Sequence, residues 1–90
     1  MSVSIKIVSN NEYEVTVKSK TVTTHLVTLS DEVHKNLTNE KVTKEELLDF
    51  SFKFLLDREP NTSIMSSFEL TVISRYFSDY EKSVKKWCSS

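Results

Sequence analysis

Few residues in this chain are of types that do chemistry, and their spacing narrows what they could do. Arg58 and Glu59 stand together just before Pro60, the single proline. A guanidinium offers five donors in a planar fork, so it suits a carboxylate, a phosphate or the free carbonyls of a helix end. His25 lies in a threonine-rich run that also reads as a strand. Arg58, Glu59 and His25 are the candidate ligand-binding residues, for a small anionic ligand or the acid of a partner. The competing reading is structural: Arg58 bonds the last carbonyls of its own helix and one carboxylate, with Glu69, Asp79 and Glu81 as candidate acids.

No metal site is expected, because His25, His34 and Cys88 lack the paired spacing of metal ligands. His34 reads as a solvated helix residue. Cys88, near the C-terminal end beside Lys85 and Lys86, has no fixed base and third group in view, so no catalytic residue is assigned. The chain contains no glycine at all. Glycine lets backbone amides wrap a phosphate, so P-loop and dinucleotide fingerprints are excluded, and no cofactor is expected. The formal net charge is −1, and Arg75 with Lys82, Lys85 and Lys86 makes at most a small basic cluster. Nucleic-acid binding needs several phosphate contacts, so no nucleic-acid partner is expected despite a superficial helix-turn-helix spacing.

The elements that must carry these residues follow from periodicity. Val3, Ile5 and Ile7 alternate with polar residues, as do Tyr13, Val15 and Val17. Parity requires an odd-length loop at Asn10-Asn11, since a one-residue slip inverts a strand. A three-residue loop would pair Ile7 with Val15 and Ile5 with Val17. Residues 21–29 form a third strand, with His25, Val27 and Leu29 favoured as its core face. Ser30 can cap a short helix over 31–37. Thr43 and Glu46 make a capping box for the main helix, 44–58, which stops before Pro60. At about 100° per residue, its seven Leu and Phe residues from Leu47 to Leu56 sweep roughly 240° of arc. That width requires cover on two sides and places Arg58 inside the arc. Residues 61–67 read as a connector. Residues 69–77 read as a helix with Leu70, Ile73, Tyr76 and Phe77 inward. Ser78 and Glu81 repeat the capping box before a last helix carrying Tyr80, Val84 and Trp87.

The predicted class is α+β: a three-stranded antiparallel β-meander followed by a central helix and two or three shorter helices, as one domain over 1–90. Ninety residues bury only about 60% of the unfolded surface, so nearly every apolar side chain is needed. The single cysteine argues for a reducing compartment. There is neither a signal-peptide core nor an apolar run near the ~20 residues of a membrane span. The chain therefore reads as cytoplasmic, with no membrane contact.

Three stretches taken together, TVTTHLVTL (21–29), SFKFLLDREPN (51–61) and SIMSSFELTVISRYFSDYE (63–81), carry a resemblance. The chain resembles a family of small bacterial proteins with T-x-H-x-V-T, S-F-x-F-L-L-x-R-E-P-N and F-x-L-x-V-I-x-R-Y-F-x-x-Y-E motifs. Ser78 stands where that pattern has proline. The resemblance implies an intact single-domain module and brings no activity, cofactor or site residue with it. Open sheet edges and a high aromatic content point to a non-catalytic interaction module, a homodimer or the binder of another protein.

Overall fold

The computed structural model describes residues 2–89. Three antiparallel strands, β1 (Ser2–Ile7), β2 (Glu12–Lys18) and β3 (Val22–Thr28), form the expected meander. The hairpin keeps the expected parity, but its register differs from the expected Ile7–Val15 pairing: it is centred on Asn10, one residue earlier. Ile7 pairs with Tyr13, Ile5 with Val15 and Val3 with Val17. This register keeps Val3, Ile5, Ile7, Tyr13, Val15 and Val17 on one face, and Val8 and Ser9 both bond the Glu12 carbonyl at the turn. His25, Val27 and Leu29 are buried, so the third strand faces the core as expected.

Helix α1 (Asp31–Thr38) starts at Ser30, whose Oγ accepts from the Val33 amide. It ends on two residues in the left-handed region, Asn39 (φ 52°) and Glu40 (φ 60°), positions that glycine would fill in another sequence. Side chains hold this turn instead. Thr38 Oγ1 donates to the His34 carbonyl and accepts from the Glu40 amide. His34 Nε2 bonds the Val42 carbonyl at 2.6 Å, so His34 is a half-buried brace and not the solvated residue expected.

Helix α2 (Lys44–Leu56) begins with the full Thr43/Glu46 capping box. Leu47, Leu48, Phe52, Phe54 and Leu55 are all buried. Phe52 packs toward His25 and Phe68 on the sheet side. The opposite side meets helix α4 (Tyr80–Ser89): Phe50 stacks on Trp87 at 4.4 Å, and Phe54 meets Tyr80 edge-on. The wide apolar arc is thus covered twice, once by the sheet and once by the last helix. Ser51, which interrupts the arc, is satisfied by a buried relay. Its hydroxyl donates to the Leu47 carbonyl, so the Tyr80 hydroxyl, 2.5 Å away, must donate to Ser51.

The departures come after Pro60. A single 3-10 turn over Asn61–Ser63 leads into a fourth strand, β4 (Ser67–Glu69), parallel to β3, giving the sheet order β1-β2-β3-β4. The expected helix 69–77 shrinks to α3 (Val72–Tyr76). Alternation at Phe68 and Leu70 serves a strand first, and the helix starts too late to turn Tyr76 inward; Tyr76 is 71% exposed. Asp79, not Ser78, directly precedes α4, and its carboxylate is taken up by Arg58. Among the described residues no helix is long and apolar enough to cross a membrane.

A candidate binding cleft

The structure separates the three residues singled out from the sequence. Arg58 is not turned into the core; its side chain keeps about a third of its surface in water, at 34% exposure. Helix α2 ends at Leu56, before Arg58, so the helical wheel no longer applies there. Its guanidinium carbon lies over the Phe54 ring, 3.5 Å from the centroid. Nη1 donates to the Phe54 carbonyl at 3.0 Å and Nη2 donates to Asp79 at 2.9 Å. Arg58 therefore serves a carbonyl of the helix end and ties it to the start of α4, with Asp79 the acid among the three candidates.

His25 is 2% exposed and both its nitrogens are engaged. Nδ1 lies 2.7 Å from the Met65 carbonyl, which can only accept, so Nδ1 carries a proton. Asn61 Nδ2 donates to Thr23 Oγ1 and to the Thr21 carbonyl. Thr23 Oγ1 lies 2.9 Å from His25 Nε2, which leaves its hydroxyl free to donate to that nitrogen. The chain Asn61 to Thr23 to His25 to Met65 is then fully satisfied with a neutral imidazole. It clamps the irregular segment 61–66 onto β3. Asn61, buried at 6% exposure, is the residue that sequence reasoning missed. The signal available was an asparagine directly after a helix-ending proline, at the head of the polar run Asn61-Thr62-Ser63.

The clamped segment forms one wall of a half-open cleft of about 410 Å³. Leu55, Ile64, Phe68, Ile73 and Phe77 line it, and Met65 and Tyr76 are exposed at residue level. The volume lies within the range of small-ligand and side-chain pockets, about 300–1,000 Å³. Glu59 is the single charged residue in the lining. It is half-buried and makes no ion pair or side-chain hydrogen bond with the described residues. Arg58 and His25 do not line the cleft; each instead braces a part of the chain that does. Cys88 does not line it either, and burial pushes its thiol upward, away from the reactive thiolate. Among the described residues no three His, Cys, Asp or Glu side chains are grouped to hold a metal ion.

Comparison with known proteins adds no relative: no family model, curated protein or solved structure matches the chain significantly.

Proposed function

We propose that this protein is a non-catalytic protein-interaction module of the bacterial cytoplasm, and that its cleft receives apolar side chains from a segment of a partner protein. The cleft carries the proposal. It combines apolar walls, an exposed aromatic in Tyr76 and a flexible thioether in Met65, the mixture that suits a protein contact. The chain also braces it, with the His25 clamp behind one wall and the Arg58–Asp79 tie beside Phe77. The anionic-ligand alternative loses support, because Arg58, Glu59 and His25 do not converge.

The test is selection of binding peptides from a random library, followed by amide and methyl shift mapping. Shifts centred on Leu55, Val72, Ile73 and Phe77, lost in Val72→Glu with its melting temperature retained, support the reading. Peptides that map to another face would refute it.

A second reading, a homodimer, rests on β1. Among the described residues its outer edge pairs with no strand, and Lys6 is the charged residue on β1 that guards against edge pairing. An antiparallel β1–β1 pairing centred on Ser4 would set Val3 against Ile5 and Lys6 against Ser2, with apolar residues on one face and no like charges opposed. Sedimentation should then show a dimer that Ser4→Lys dissociates. A monomer at high micromolar concentration removes this reading and leaves the cleft proposal intact.

A further inference from the structure

Glu59 brings the one charge to a largely apolar lining, in which Ser63 and Tyr76 carry the other polar side-chain groups, and this asymmetry has a chemical consequence. Resting on the cleft reading above, we infer that the partner segment carries a lysine or arginine next to its apolar anchor, and that Glu59 selects it. Glu59 is held at the rim because its amide bonds the Leu55 carbonyl in the closing turn of α2, just before Pro60. Its carboxylate has no partner of its own among the described residues. The nearest cation in sequence is Arg58, and its charge is directed to Asp79 and to the Phe54 carbonyl. Arg75, the cation of α3, is not part of the lining, so Glu59 is the one charged side chain that lines the cleft. An apolar segment entering the cleft takes water away from Glu59, and an unpaired carboxylate loses hydration with no return. A cation beside the anchor restores that loss through a charge-assisted hydrogen bond; a second carboxylate worsens it.

A chain's own exposed apolar tip is a poor occupant. Ile7 and Val8 are 60% and 55% exposed, with Lys6 beside them, and so have the right chemistry. They belong, however, to the end of the sheet where Lys44, at the start of α2, contacts Asn10. The cleft lies at the other end of α2. Such a contact is head-to-tail and would build a ring or an open filament in place of a closed pair. The occupant is a segment of another protein.

The probes are three blocked peptides that share a Leu-Trp-Leu core followed by lysine, norleucine or glutamate. Titration is followed by NMR shifts of the cleft residues at low salt. The lysine peptide should bind roughly threefold to tenfold more tightly than the norleucine peptide, the range for a partly exposed, charge-assisted pair. The glutamate peptide should bind most weakly. Glu59→Gln should level lysine and norleucine, and Glu59→Lys should reverse the order of lysine and glutamate, each with its melting temperature checked against the parent. Equal binding of all three peptides in the cleft overturns the charge selection alone. No cleft shift with any peptide overturns both the selection and the cleft reading beneath it.

Discussion

Replacing Arg58 by lysine separates the structural role of this residue from a binding role. Three contacts are at stake: the bond to the Phe54 carbonyl, the pair with Asp79 and the stack on Phe54. A hydrogen bond from a charged group contributes about 1.5–3 kcal/mol when shielded, and less here because the side chain is 34% exposed. The Asp79 pair is more exposed still on the acid side and contributes about 0.2–1 kcal/mol. A partly exposed cation over an aromatic ring adds about 0.5–1 kcal/mol. Arg58→Ala should therefore cost about 2–3 kcal/mol. Arg58→Lys keeps the charge near the helix C-terminus but loses the stack on Phe54 and one of the two directed bonds, for about 1 kcal/mol. In a chain of this size each kcal/mol moves the melting temperature by about 4–8 °C. Thermal melts of the two variants and of Asp79→Asn at low salt give the assay. Asp79→Asn should be the mildest, and its effect should shrink in 1 M salt, where the screening length is about 3 Å. An Arg58→Lys melt within a degree of the parent, with peptide binding lost, would refute the structural reasoning and return Arg58 to a binding role.

Other perturbations test the packing that supports the cleft. Phe54→Ala should cost about 3–5 kcal/mol, read from the urea midpoint, because Phe54 is 6% exposed and meets Phe77, Tyr80 and Arg58. Ser51→Ala should cost about 1–3 kcal/mol by stranding the buried Tyr80 hydroxyl, while Tyr80→Phe costs about 1 and the double variant little more than Tyr80→Phe; additive urea-denaturation costs would break the relay. Burial raises the folded-state pKa of Tyr80 strongly and that of Tyr13 in the same direction. The stability these phenols contribute is thus complete below their unfolded value, about 10, and is lost as pH rises above it. Urea midpoints should fall above pH 10, and less steeply in Tyr80→Phe. Glu40→Gly should raise the melting temperature, since relief of a positive φ of about 1–2 kcal/mol exceeds the added chain entropy of glycine.

What the sequence displayed well was everything with a sustained period. The alternation from Val3 to Val17 specified two strands and the parity of their pairing, and the Thr43/Glu46 box specified the start of α2. The arc of Leu and Phe residues required cover from two sides, and the structure supplies it. What it displayed poorly was short or irregular. Three residues of β4 are too few for alternation to be told from a helix, and Leu70 and Ile73 also fit one helix face. Arg58 was misplaced because a helical wheel was extended past the residue where the helix ends. The register between β1 and β2 needed more than parity, which fixes the paired faces and leaves turns centred on Asn10 and Asn11 equivalent.

The cleft escaped periodicity for a related reason, and the same reason explains how it stays open. One wall is a segment with little regular secondary structure, 61–66, which packing alone would allow to collapse into the apolar space beside it. The hydrogen bonds that prevent this reach across the sequence: Thr23 and His25 on β3 meet Asn61 at the start of the segment and the Met65 carbonyl within it. Thr23 and His25 belong to the T-x-H pattern, and Asn61 ends the R-E-P-N pattern. Residues of the second and third stretches, from Leu55 and Glu59 to Phe77, supply most of the lining. Two patterns that looked unrelated along the chain thus meet in one polar clamp, and the apolar residues around them form the space it holds. A buried polar chain of this kind stabilises one arrangement sharply, because each broken member leaves a group unsatisfied. The clamp therefore gives the irregular wall a fixed shape, which a cleft needs if it is to discriminate between partners.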